Sequence, residues 1–129
     1  MKKILIVEDD QKVAKALHLR IKGAGYETSM AYDALGGVVT AARVKPDAVL
    51  LDINIPAGNG FSVAQRIQAI IPGRTPIIFI TASRKPDLCD RAIKLGASGF
   101  VQKPYDPLKL LELLHNVLEN TYGQNIHAV

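Results

Sequence analysis

Three unbroken apolar runs constrain this chain more than any other feature: Ile4-Leu5-Ile6-Val7, Ala48-Val49-Leu50-Leu51 and Ile77-Ile78-Phe79-Ile80. A strand with one wet face alternates apolar and polar residues. A continuous run rich in β-branched residues instead predicts a strand covered on both faces. Between the runs the apolar spacing changes to the helical period. Asp10 to Ala24 carries Val13, Ala14, Leu17 and Ile21 on one face and is punctuated by Gly23 and Gly25. Tyr26 to Ala31 reads as a more polar, edge-type strand, and Asp33 to Val44 as a second helix weakened by Gly36 and Gly37.

Lys45-Pro46-Asp47 turns the chain into the Ala48 run, and Asp52 to Asn59 is a loop marked by Pro56 and Gly58. Gly60 to Ile71 is a third helix, stopped by Pro72 and Gly73. A fourth spans about Lys85 to Leu95, and Ser98 to Val101 is the last strand. Lys103 to Pro107 then turns into a final helix with Leu110, Leu111, Leu114, Val117 and Leu118 inward. Strict alternation of strand and helix implies parallel strands joined by right-handed crossovers. The expected fold is α/β: a doubly wound, five-stranded parallel sheet in a three-layer sandwich.

Composition narrows the class. The chain has 129 residues, of which 48% are hydrophobic and 22% charged, as one globular domain with a real core would have. Its apolar runs are far shorter than the roughly 20 residues of a membrane span. The basic N-terminus resembles a signal peptide only until Glu8, Asp9 and Asp10, and no small-residue cleavage site follows, so that reading is rejected. Cys89 is the single cysteine, which excludes an internal disulfide framework and a Cys-based zinc site; it reads as a small helix residue. The net charge of +4 is spread along the chain and not interleaved with aromatics, so direct nucleic-acid binding is not expected.

In doubly wound folds the ligand site lies beyond the carboxyl ends of the strands, where the strand order reverses. Those positions hold Glu8 and Asp9 after the first strand, Asp52 after the third, Thr81 after the fourth and Lys103 after the fifth. Three carboxylates in one cleft repel, each pair by on the order of 4 kcal/mol at about 4 Å and an effective dielectric near 20. A divalent cation removes that penalty, and an all-oxygen site suits Mg²⁺. A carboxylate left accessible beside the cation can attack phosphorus. Lys103 and the metal neutralise phosphoryl oxygens, and Thr81 donates a hydrogen bond to one. Bland readings compete residue by residue: Asp10 as a helix N-cap, which is preferred for it, Thr81 as a cap of the fourth helix, and Lys103 as solvated surface.

Taken in order, four segments resemble the receiver domain of two-component response regulators. They are Ile4 to Asp10, Val49 to Pro56 with Gly60, Pro76 to Ala82, and Gly96 to Pro104. The resemblance runs from about Lys2 to Glu119. It implies a chemotaxis-regulator-like, flavodoxin-like fold with strand order 2-1-3-4-5. It implies Mg²⁺ held by Glu8, Asp9, Asp52 and the carbonyl of Asn54, and a phosphoryl group accepted on Asp52. Thr81 and Lys103 contact that group, and Phe100 is the aromatic that rotates when Thr81 moves. The donor it implies is a phosphohistidine on a sensor histidine kinase or phosphotransfer protein, and the domain dephosphorylates itself slowly. It further implies a cis bond between Lys103 and Pro104, a downstream effector on the face of the fourth helix, last strand and fifth helix, and a cytoplasmic monomer or weak dimer. Glu8 stands where Asp is commoner and Ile55 where Met is usual. Lys109 and Leu113 replace a Glu and an Arg frequent in regulators with winged-helix outputs.

Residues 1–120 are expected to form the receiver domain and 121–129 a C-terminal tail too short for an effector. The chain is then a stand-alone receiver or a piece of a larger regulator or hybrid kinase. Two rivals remain. A haloacid-dehalogenase-type phosphatase wants a second Asp two residues after its nucleophile and that nucleophile on the first strand; here Asn54 follows and Asp52 is on the third. A phosphorylation-independent receiver-like interaction module usually lacks an acid, the phosphoacceptor or the lysine, and all are present here. No Gly-x-Gly-x-x-Gly follows the first strand, against a dinucleotide site.

Overall fold

The computed structural model describes residues 1–119 and the backbone of 127–128. Strand β1 (Lys3–Val7) leads to α1 (Gln11–Gly23), β2 (Glu27–Ala31) to α2 (Ala34–Val44), and β3 (Ala48–Asp52) to α3 (Gly60–Ile70). Strand β4 (Ile77–Thr81) leads to α4 (Asp87–Lys94), and β5 (Gly99–Gln102) to α5 (Pro107–Glu119). All five strands are parallel and lie in the order β2-β1-β3-β4-β5, as expected. Beyond them a two-residue strand, β6 (His127–Ala128), pairs with Gly99 and Phe100 of β5. The sequence reading has a tail there. The outer edge of β5 offers unpaired backbone groups that an extended segment can bond, and two residues carry no periodic signal. Residues 120–126 and 129, the rest of the expected tail and the end of the expected domain, lie outside the described residues.

The continuous apolar strands are covered on both faces. Leu5, Val7, Val49, Leu51, Ile77 and Phe79 pack under α2, α3 and α4, while Ile4, Ile6, Leu50, Ile78, Ile80 and Val101 pack under α1 and α5. Each such side chain taken wholly out of water stabilises the fold by about 1.5–3 kcal/mol. Gly37 on α2 belongs to this packing, because a Cβ there would meet both Val7 methyls at 3.2 Å. Ile55 is buried in the loop after β3.

Element boundaries differ from expectation where caps intervene. Asp10 and Asp33 are N-caps, their carboxylates accepting from Lys12 and Val13 N–H and from Gly36 N–H respectively. Helix α4 begins at Asp87 rather than Lys85, because Pro86 occupies its N-cap and a residue before proline is kept out of the helical region. On α5 the buried set is Leu110, Leu113, Leu114 and Val117; Leu111 and Leu118 are only half-buried. Leu113, at a position where the resemblance to winged-helix regulators leads one to expect an Arg, is therefore core here.

Candidate functional site

Strand order reverses between β1 and β3, since β2 lies on one side of β1 and every later strand on the other. Val7 is in register with Leu51, so Glu8 and Asp52 leave the sheet side by side. Thr81 ends β4 in register with Gln102 of β5, and Lys103 follows directly. Glu8, Asp9 and Asp52 each offer a carboxylate oxygen, and these oxygens lie within 4.8 Å of one another. Glu8 and Asp52 are buried and Asp9 is exposed, so the cluster has a wet side.

The ammonium of Lys103 closes the other side. Its Nζ donates to Glu8 Oε1 at 2.6 Å and to Asp52 Oδ2 at 2.9 Å. The second oxygen, Asp52 Oδ1, accepts from the backbone N–H of Asn54 at 2.9 Å. Burial, reinforced by the Asp52 charge and only partly offset by Lys103, pushes the Glu8 carboxyl up to about 7. Burial works against the charge on Lys103, but hydrogen bonds and charge from Glu8 and Asp52 prevail and raise it above the ordinary lysine value. Three acids thus face one resident cation, a deficit that an oxygen-seeking divalent metal matches. The Lys103–Pro104 bond is cis, as expected.

Thr81 is fully buried and does not cap α4. Its Oγ1 accepts from Ser83 N–H at 3.0 Å, within the loop after β4. Phe100 lies on β5 in register with Phe79 and is 8% exposed. The ring is therefore already in the core under α4. Asn54 is exposed and meets Asp52 through its N–H.

Two supporting residues lie in segments that carry the resemblance, but the sequence does not reveal what they do. Gln102 Nε2 donates to the carbonyls of Thr81, at 3.1 Å, and Lys103, at 3.4 Å, tying the two strand ends together. Side chain to backbone bonds of this kind leave no pattern in a sequence. Gly60 donates its N–H to Ile53 O at 2.7 Å, and a Cβ at Gly60 would lie 2.6 Å from Asp52 O. Only the absent side chain lets α3 start this close to the acid.

The fold and this strand-end cluster define a class of signalling domain. The response regulator receiver domain family matches residues 4–115, and the chain belongs to that family. It is 36% identical over 124 residues to the uncharacterized transcriptional regulatory protein YvcP of Bacillus subtilis, covering 96% of this chain and 52% of that protein. It is 34% identical over 128 residues to the response regulator ArlR of Staphylococcus saprophyticus, covering 98% of this chain and 56% of that protein. The chain thus spans about half the length of these curated relatives. A CheY-like response regulator receiver domain from Methanospirillum hungatei superposes with a TM-score of 0.87 at 26% identity, over 93% of this chain and 95% of that one. The protein is a receiver domain of two-component response regulators, and receiver domains work with sensor kinases and effectors. No helix among the described residues is long and apolar enough to cross a membrane.

Proposed function

We propose that this receiver acts in the cytoplasm and accepts a phosphoryl group on Asp52 from the phosphohistidine of a sensor histidine kinase or phosphotransfer protein. The observation that carries the reading is the convergence of Glu8, Asp9, Asp52 and Lys103 at one point of the sheet edge. Glu8, Asp9, Asp52 and the carbonyl of Asn54 are the groups to hold Mg²⁺. When bound, the cation offsets the mutual repulsion of the acids and the charge of the phosphoryl oxygens.

A carboxylate oxygen of Asp52 attacks phosphorus, and the bond from phosphorus to the donor imidazole nitrogen breaks. The electron pair stays with that nitrogen, and because the donor ring carries a proton on its other nitrogen it leaves as neutral imidazole. Lys103, which bridges Glu8 and Asp52 in the structure, moves its ammonium onto a phosphoryl oxygen. Thr81 gives up Ser83 N–H and donates its hydroxyl to another. Water later attacks the phosphorus, the acyl phosphate bond breaks, and the Asp52 carboxylate and inorganic phosphate are restored. Movement of Thr81 reaches Phe100 on the next strand, and an effector protein reads the result on the face of α4, β5 and α5.

Asn54 lacks the carboxyl that a haloacid-dehalogenase-type phosphatase places two residues after its nucleophile, which leaves that rival without a general acid. The test is incubation of the chain with acetyl phosphate, with and without Mg²⁺. One phosphoryl mass should be gained only with the metal and lost again on standing. No gain at any Mg²⁺ concentration would favour an interaction module that works without phosphorylation.

A further inference from the structure

The backbones of α2 and α3 run close together, whereas α3 and α4 stand farther apart and meet through side chains such as Phe61 and Arg91. Between α3 and α4 runs a cleft of two adjoining recesses that share Gln65 and Leu95. The inner recess, about 210 Å³, reaches down to Ala64, Ile77, Phe79 and Ala97. The one other polar side chain lining it, Gln68, is engaged by Thr75: its Nε2 donates to Thr75 O at 2.6 Å and its Oε1 accepts from Thr75 N–H at 3.2 Å. An apolar cavity of about 150 Å³ can hold benzene, so this recess admits one ring or a short alkyl chain.

The outer recess, about 330 Å³, opens to solvent between Phe61 on α3 and Arg91 and Lys94 on α4. The guanidinium carbon of Arg91 stands 4.3 Å from the centre of the Phe61 ring. Among the described residues neither Arg91 nor Lys94 forms an ion pair, and neither Asp87 nor Asp90 of α4 lines the cleft. The cleft is therefore apolar at its floor and cationic at its mouth.

We infer that the α3–α4 cleft binds a small amphiphilic anion, an aryl or medium-chain alkyl carboxylate. The apolar group fills the inner recess and the carboxylate meets Arg91 and Lys94. Both walls are helices, which offer no free backbone edge to an extended peptide, and the inner recess has room for a single ring. Asp52, Thr81 and Lys103 do not line the cleft. This site stands or falls independently of the phosphoacceptor.

The test titrates phenylbutyrate, and its uncharged analogue phenylbutanol, into the ¹⁵N-labelled chain. Amides of Phe61, Ala64, Gln65 and Ala97 should shift saturably with phenylbutyrate, with a Kd of about millimolar, as befits a ligand this small. Phenylbutanol should bind about fivefold more weakly. Arg91→Ala, an exposed substitution that leaves the core intact, should weaken phenylbutyrate by about the same factor and leave phenylbutanol unchanged. Ala97→Leu, which fills the inner recess, should abolish binding of both. Linear, unsaturated shifts up to about 20 mM, more than tenfold above the expected Kd, would overturn the proposal. So would equal binding of acid and alcohol to the unaltered chain.

Discussion

Lys103 bridges two acids, donating to Glu8 at 2.6 Å and to Asp52 at 2.9 Å. The side chain proposed to assist phosphoryl transfer is thus paired with an acid proposed to hold the metal. On the proposed reading, lysine and metal would compete for the same oxygens. Lys103→Met should therefore raise Mg²⁺ affinity, because a cation leaves the cluster. It should also slow acyl phosphate formation by on the order of 10–100-fold, because a donor to the phosphoryl oxygens is lost. Magnesium titration and the rate of labelling by acetyl phosphate check the two halves. Weaker Mg²⁺ binding in the variant would contradict the competition.

The site should make stability depend on pH. The Glu8 carboxyl is raised from 4.5 to about 7, so over that interval the folded chain binds more protons than the unfolded one. Stability contributed by protonated Glu8 is fully present below 4.5 and is lost as pH rises through about 7. Without Mg²⁺ the loss should be at most about 3 kcal/mol. Saturating Mg²⁺ should restore more stability at high pH than at low pH, because the metal needs the ionised acid. Urea titrations across this range, with Glu8→Gln as control, measure both effects. The same slope in Glu8→Gln as in the unaltered chain would place the titration elsewhere.

Gly60→Ala should be costly for its size. The added Cβ would stand 2.6 Å from Asp52 O and 2.7 Å from Ile53 Cα, both backbone atoms that cannot step aside. Overpacking of this kind costs about 1–3 kcal/mol, and part of it should appear as a shift of the Asp52 loop. Urea denaturation gives the first quantity and amide chemical shifts of residues 52–60 the second. A variant as stable as the unaltered chain would show that α3 can move away from the site.

Phe100 is buried beside Phe79, so its response to phosphorylation begins from within the core. Phe100→Ala should destabilise the fold by about 3–5 kcal/mol, as for other large core truncations. With beryllofluoride as phosphoryl mimic, amide shifts should extend from Thr81 through residues 84–105. Shifts confined to the loops around Asp52 would mean that the signal does not leave through α4 and β5.

Much of this was legible because the strands are continuous apolar runs. Ile4 to Val7, Ala48 to Leu51 and Ile77 to Ile80 can only be buried on both faces, and a doubly wound sheet then places Glu8, Asp9, Asp52, Thr81 and Lys103 on one edge. Side-chain pairing was less legible. Nothing in the spacing distinguishes a Lys103 aimed at Glu8 from one aimed at Asp52 alone, nor shows Thr81 engaged by Ser83 or Gln102 bridging two carbonyls. Leu113 was missed because the apolar stripe of α5 is wide, and its inward phase depends on how the helix is rotated against β5. The α3–α4 cleft was invisible for a related reason: a gap is made by side chains that do not meet, and it depends on where a short α4 comes to rest.

The central claim is that Asp52 is the sole phosphoacceptor. Intact mass measured after incubation with acetyl phosphate and Mg²⁺ tests it most directly. The unaltered chain should gain a single phosphoryl mass and Asp52→Asn none, with the variant's fold verified by its amide spectrum. Undiminished labelling of Asp52→Asn would contradict the account.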